Sequence, residues 1–473
     1  MSRLSAEWTK FRTVPGWLRG TVIAALMILV FPATGLGGGP PEHASPIPIG
    51  PDGGPVSAAY YFVHRTLTGD GQITVPVGFD GPAAPWAKAG LIVSAGPEPG
   101  ARYAAVMATG GHGVRMQYDY VHDRAVGPAG LRWLRLTRAG DTVTGEASAD
   151  GTRWTPAGSV RLPGLPATVR AGLFVACPPK VDGLGTAVDA ATATFGPPGL
   201  TGGWAAGDWT GEQVGAGTAT MGGYPRGVTG GFTPVGDGFT VTGAGDLAPA
   251  TRNDIAVAAS AADLLFGTFP ALIVLVVVGT LMITTEYRYG IIRTSLSADP
   301  RRIRGLAAKA AVLASVTFTT SLAAAAVALP LWLRLVRGLG IYVFPAAPGT
   351  LLRAAAGTAA MLAITAVLAL AVGTILRRSA TAVTTVVAAT VLPHLLARTP
   401  FLPAPLAGWL TTYTPAAALA VQQTLTRYPQ VDSVYTPAAG YYPLSPGAGL
   451  AVLAAYTVLA LAVAAVLLRR RDA

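Results

Sequence analysis

LLFGTFPALIVLVVVGTLMI, from Leu264 to Ile283, runs twenty residues without a charge. About 20 helical residues cross the ~30 Å hydrocarbon core of a bilayer, so this stretch predicts a membrane span. Five more apolar runs flank it: Gly20–Leu36, Leu306 to about Leu329, Ala354–Leu376, Ala380–Ala397 and Ala448–Leu468. The composition agrees. Of 473 residues, 51% are hydrophobic and only 12% charged, against about 25% charged in an average soluble protein. That balance excludes a disordered chain. The single cysteine, Cys177, excludes a disulfide framework and a cysteine-based zinc site.

The net charge of +11 raises a nucleic-acid partner, and its location answers the question. Segments 1–19, 284–309, 376–379 and 469–473 hold 15 Lys/Arg and 4 Asp/Glu, so the whole excess sits there. Under the positive-inside rule that face is cytoplasmic, and both termini lie inside. The excess is thus an orientation signal, and no nucleic acid is expected as a partner. One departure is the outer loop carrying Arg334, Arg337 and Arg353.

Between the first two spans lie residues 37–253, rich in Gly, Pro, Thr and Trp, with 14 basic and 16 acidic groups. This segment reads as an extracellular domain. The expected layout follows: residues 1–18 an interfacial helix, 19–36 the first span, 37–253 the outer domain, 254–283 the second span. Residues 284–309 then form a cytoplasmic loop, and 306–473 hold spans three to six with outer loops 330–353 and 398–447. The rival reading of the first span is a cleaved signal peptide, which would leave the topology unchanged.

In residues 1–18, Leu4, Trp8, Phe11 and Val14 recur at helical spacing, with Glu7, Lys10 and Arg12 elsewhere around the turn. This predicts a short amphipathic helix ending near Pro15 and lying on membrane lipid. Its alternative is a shapeless basic tail.

The outer domain reads as strand and turn. In Trp133–Thr137, Leu134 and Leu136 share one face, and Asp150-Gly151 marks a tight turn. Short strands at this spacing predict an all-β sandwich or barrel. Trp86 to Val93, Trp133 to Arg138, Ser148 to Gly151 with Trp154, and Gly172 to Val175 together resemble a concanavalin A-like (laminin G-like) jelly roll over about 60–200. Such sandwiches often begin with a strand like Gly238-Phe239-Thr240-Val241-Thr242-Gly243-Ala244-Gly245-Asp246, here found at the C-terminal end. The resemblance therefore implies a circularly permuted sandwich. Hydrolysis of glycosides is not expected, since no pair of carboxylates has a suitable pattern. His64, His112 and His122 match no metal spacing, so no metal is expected. Tyr118, Tyr120 and Trp133 are the candidate ligand-stacking residues, with core packing as the alternative.

The inner loop TTEYRYGIIRTSLSADPRRIRGLAAKA, 284–310, carries the functional reading. Its bland reading is a positive-inside anchor. However, Glu286-Tyr287-Arg288 with Gly290, Ile292 and Arg293, then Pro300-Arg301-Arg302 and Ala307-Ala308-Lys309-Ala310, resembles the first cytoplasmic loop of type-2 ABC exporter permeases. Glu7-Trp8-Thr9-Lys10-Phe11-Arg12 and the ending Leu467-Leu468-Arg469-Arg470-Arg471-Asp472-Ala473 are similar to that family too. The resemblance covers 1–36 and about 254–473. It implies that Glu286, Arg288, Arg293, Arg301, Arg302 and Arg304 meet the ATPase, and that Trp8, Phe11 and Arg12 form the membrane-surface helix. It further implies two copies of a separate ATPase subunit and a second permease chain, as homo- or heterodimer. The chain departs from the family by its inserted outer domain. It has no G-x-x-x-x-G-K-[ST] loop, so it is not expected to be an enzyme or to hold a cofactor, and ATP would be bound by the partner.

Pro270, Gly279 and Pro393 are candidate bends within spans. The loop 398–447, with Tyr413-Thr414-Pro415 and Tyr441-Tyr442-Pro443, resembles the family's extracellular gate. Asp263 and His394 are expected at solvated span ends. Few charges line the spans, which favours a hydrophobic or amphipathic cargo. The alternative function is a membrane-anchored receptor that binds a glycan or other ligand through the outer sandwich.

Overall fold

The computed structural model describes residues 3–35, 47–127, 130–182, 185–187, 189–216, 228, 230–255, 257–289, 302–399, 402–433 and 435–470. They form two compact units. A helical unit comprises Met1–Pro41, Val257–Thr426 and Tyr435–Ala473, and a strand unit comprises Glu42–Ala256 and Arg427–Val434.

In the helical unit, α1 is Arg3–Thr13, α2 Pro15–Val30, α3 Thr268–Arg288, α4 Arg302–Gly338 and α5 Pro348–Leu376. Then follow α6 Ser379–Thr390, α7 Leu392–Ala397, α8 Ala404–Tyr413 and α9 Pro446–Arg470. Among the described residues, five helical stretches are long and apolar enough to cross a membrane: α3, α4, α5, α6 with α7, and α9. The pair α1–α2 makes a sixth if counted as one span, although it bends by 78°. Pro15 causes that bend. Its ring removes one donor, and Pro is favoured as the first residue of a helix, so α2 starts there. The helix of the first span is therefore displaced to 15–30, ahead of the expected 19–36.

Three expectations change in this unit. First, α4 does not stop at Leu329. It continues through Pro330 to Gly338, so Arg334 and Arg337 are helical and the expected loop 330–353 starts late. The apolar face carries on past the proline, and the Trp332 indole donates to Leu29 O at 2.8 Å, satisfying one of the last carbonyls of α2. Second, Pro415–Gln422 inside the expected loop 398–447 is a wholly buried 3-10 helix. Its Gln422 amide donates to Thr268 Oγ1 at 3.1 Å and Thr358 Oγ1 at 3.3 Å. An apolar run of seven residues, Pro415 to Val421, is too short to read as a packed element. Third, residues 427–434 of the same loop belong to the strand unit. There Gln430 donates to Val121 O at 3.0 Å, and Ser433 Oγ lies 3.0 Å from Thr251 Oγ1.

The expected bends divide. Pro393 sits at the start of α7, where the fifth span breaks. Pro270 lies in the first turn of α3, where a missing N–H is harmless. Gly279 is a packing glycine: a Cβ there would lie 2.4 Å from Ala366 O of α5. Asp263 caps its own turn, accepting from Ser260 N and Oγ at 2.8 Å. His394 is not at a solvated end but fully buried, its ring 4.9 Å from Phe269 and 6.0 Å from Tyr442.

The strand unit is a large β-sandwich or barrel-like sheet region. Its early strands are β1 Val56–Ala58, β2 Tyr60–Phe79, β3 Lys88–Ser94, β4 Tyr103–Thr109 and β5 Val114–Tyr118. They are followed by β6 His122–Val126, β7 Trp133–Ala139, β8 Thr142–Ser148, β9 Trp154–Arg161 and β10 Thr168–Ala176. The long β2 joins two halves of the sheet. Its first half pairs antiparallel with β10, from which β3, β4, β5 and β6 follow in order. Its second half pairs with β7, then β8 and β9. The halves pack face to face: a Cβ on Gly145 of β8 would lie 3.1 Å from Met116 Sδ and 3.2 Å from Val106 Cβ. Leu134 and Leu136 point into that core, as their alternation predicts.

The strand Gly238–Gly243 lies within this sheet, paired with Ala191–Phe195, which pairs in turn with the end of β2. Just beyond it, buried Asp246 meets buried Lys88 at 2.5 Å, and Lys88 Nζ also donates to Leu247 O at 2.8 Å. Two segments 158 residues apart are thus joined by one ion pair in the second core, around Tyr60, Phe62, Tyr103 and Phe174.

Candidate functional site: a charged cluster at a three-helix junction

Where α1, the end of α3 and the start of α4 meet, four charged side chains converge. Lys309 Nζ lies 2.8 Å from Glu7 Oε2 and 2.6 Å from Glu286 Oε1. Lys10 Nζ lies 3.4 Å from Glu7 Oε1 and 3.3 Å from Glu286 Oε1. Glu7, Glu286 and Lys309 are buried, and Lys10 closes the cluster on its open side. The four charges sum to zero, which is what makes their burial tolerable. A buried ion is costly unless it is paired and hydrogen-bonded. Burial acts to lower the Lys10 pKa, but the carboxylates of Glu286 and Glu7 outweigh it and hold it above its ordinary value.

The local sequence explains the convergence. In α1, Glu7, Lys10 and Phe11 fall on one helical face at three- and four-residue spacing. Phe11 is buried with its ring 6.1 Å from Trp17 of α2, which presses that face inward. Trp8 stays exposed, with Arg12 6.0 Å over its ring. Glu286 and Lys309 are then brought opposite Glu7 because α3 and α4 enclose the same loop.

The remaining expected ATPase-contact residues divide. Arg288 is exposed beside the Tyr289 ring at 5.9 Å, and Arg304 is exposed on the first turn of α4. Arg302 opens α4. Arg293 and Arg301 lie outside the described residues. Sequence reasoning singled out Glu286 but missed Glu7, Lys10 and Lys309 as its partners. The available signal was Lys309 itself, a lone charge just inside an apolar run.

In the strand unit, the three stacking candidates are not gathered. Tyr118 is half-buried with its ring 4.4 Å from His122, stacked at 15°. Tyr120 is buried, and its hydroxyl accepts from Gly100 N and donates to Ala101 O, both at 3.1 Å. Its φ of 68°, next to Asp119 at 46°, is a left-handed turn held by these bonds. Trp133 packs under the Gly151 turn, and no ring contact joins it to either tyrosine among the described residues. Tyr120 is thus a turn anchor. Among the described residues no group of three or more His, Cys, Asp or Glu side chains is placed to hold a metal ion.

No protein-family model matches the chain, and no curated protein matches it. A solved structure described as that of a functionally unknown protein from Saccharomyces cerevisiae is similar at 18% identity, over 30% of this chain and 75% of that one, with a TM-score of 0.21. At that score it says nothing about function. The helical unit holds several helices able to span a membrane, and the strand unit is a β-sandwich-like sheet; the comparisons add no family to that description.

Proposed function

We propose that the chain is the membrane-spanning permease subunit of an ATP-driven ABC exporter. In this reading it lies in the cytoplasmic membrane with both termini inside and the strand unit outside. It pairs with a second permease chain, and two copies of a separate ATPase subunit bind and hydrolyse the ATP. The cargo is hydrophobic or amphipathic.

The observation that carries this reading is the buried cluster of Glu7, Lys10, Glu286 and Lys309. It fastens the surface helix α1 to both helices that enclose the loop resembling the family's ATPase-contacting loop. A push on that loop would move α3, α4 and α1 as one body, because separating them would strand buried charge. That is the property a coupling element needs.

Affinity purification from native membranes in mild detergent, with mass spectrometry, tests the partner. A stoichiometric ATPase carrying a phosphate loop is expected, and its absence from membranes where it is abundant would overturn the reading in favour of a receptor. Changing Arg301→Glu together with Arg302→Glu should abolish stimulation of the ATPase while the protein remains inserted. Unaltered stimulation would remove the coupling role of the loop.

A further inference from the structure

The helical unit contains a cavity of about 490 Å³ between α5, α6–α7, the turn at Thr414-Pro415 and α9. Val372, Ile375, Ala389, Leu459, Ala460 and Val463 supply much of its wall. Its three hydroxyls are already committed. Thr385 donates to Thr381 O at 2.8 Å, Thr414 to Leu410 O at 2.6 Å and Tyr456 to Tyr413 O at 2.9 Å. No hydroxyl proton is left to offer, so the cavity suits a group without polar atoms; apolar cavities stay dry and take apolar guests. It is also open on the side of α9, where Leu459 and Val463 are 63% and 41% exposed.

None of the lining residues is charged, but two of the wall helices end in arginines. Two residues beyond Ile375 comes Arg377, whose guanidinium lies 4.8 Å over the Tyr287 ring, and then exposed Arg378. Six residues beyond Val463, about 9 Å of helix, come exposed Arg469 and Arg470. α5 packs against α9, and each carries its arginines at or just beyond its C-terminal end. The combination is a dry slot whose wall helices α5 and α9 lead into the exposed guanidiniums of Arg378, Arg469 and Arg470. It complements an apolar tail that carries an anionic oxygen-rich head, because guanidinium pairs with phosphate through two parallel hydrogen bonds.

We propose that this cavity holds one acyl chain of an anionic phospholipid, with the headgroup phosphate bound by Arg378, Arg469 and Arg470. The proposal rests on the membrane embedding of the helical unit, and on neither the exporter reading nor its cargo. The bound lipid fills the gap between α5, α6 and α9.

The test uses the full-length protein in nanodiscs that contain phosphatidylglycerol or phosphatidylcholine with a photoreactive group on the acyl chain. Resistance to alkaline carbonate extraction is measured first; release of the protein would end the embedding reading, and this proposal with it, before any lipid is added. For an embedded protein, adducts should concentrate in peptides covering 368–375 and 456–463, with phosphatidylglycerol favoured about tenfold. Ala389→Phe with Ala460→Phe should lower those adducts about tenfold while sparing adducts elsewhere. Arg378→Gln, Arg469→Gln and Arg470→Gln together should bring the two lipids to near-equal labelling. Even labelling of every exposed apolar helix would overturn the site, and equal labelling by both lipids in the wild type would overturn the anionic assignment. Efficient disulfide cross-linking between two Leu459→Cys chains, with loss of lipid adducts, would show that a second copy covers the cavity instead.

Discussion

Lys309 is the residue on which the junction turns, because it is the buried cation shared by two buried carboxylates. Lys309→Met would leave Glu7 and Glu286 with only the half-exposed Lys10 between them. Removing one partner of a buried ion pair typically costs about 3–5 kcal/mol. The expected result is a clear fall in melting temperature of the detergent-solubilised protein, with much of it restored by adding Glu286→Gln. Asp254 offers a pH test in the strand unit. Burial pushes its carboxyl up to about 6, against hydrogen bonds from Thr251 that act to lower it. Between its ordinary value and about pH 6 the folded state binds more protons than the unfolded one. This group therefore contributes stability that grows as pH falls through about 6 and is lost as pH rises above it. Asp254→Asn keeps an acceptor for Thr251 but removes the titration. Relative to that variant, the wild type should gain thermal stability on moving from pH 7.5 to 5.0, and parallel profiles would refute the assignment.

Among the elements, the long apolar runs were legible because length and lack of charge suffice to mark them. Strand alternation was legible for the same kind of reason, as at Leu134 and Leu136. What escaped notice depends on partners distant in the chain. Trp332 extends α4 past its proline by bonding to Leu29 O, and no local pattern in 330–338 announces this. Glu7 resembled a polar-face residue until α3 and α4 supplied Lys309 opposite it. His394 looked terminal by position, yet Phe269 and Tyr442 enclose it. Gly279 was read as a hinge because composition cannot distinguish flexibility from close approach. Gly279→Val separates the two roles. Its branched side chain would collide with the Ala366 carbonyl on α5, so folding yield and thermal stability should fall strongly. A hinge role would instead leave stability intact and, if the chain is the proposed exporter subunit, slow transport alone.

For the molecule as a whole, sidedness is the measurable claim. The sole cysteine, Cys177, is buried, and burial pushes its thiol up to about 12, so a Cys177→Ala background is well suited to accessibility labelling. Cysteines introduced at exposed Arg378 and Arg470 should react only after the membrane is opened in intact cells. One at Arg153, on an exposed turn of the strand unit, should react from outside. Reaction of all three from the same side would refute the topology. Charge distribution made this claim accessible from sequence, since the whole +11 excess lies in four short segments.

The division of the chain between its two units has a consequence for biosynthesis. The strand unit is built from Glu42–Ala256, yet it also includes Arg427–Val434, made about 170 residues later. At ~5–20 residues per second the ribosome takes roughly 10–30 s to reach that last piece. Until then Val121 O lacks its Gln430 donor and Thr251 lacks Ser433. The nascent sheet therefore waits, nearly complete, while most of the helices are still being made, and its final closure reports that the later part of the chain has arrived.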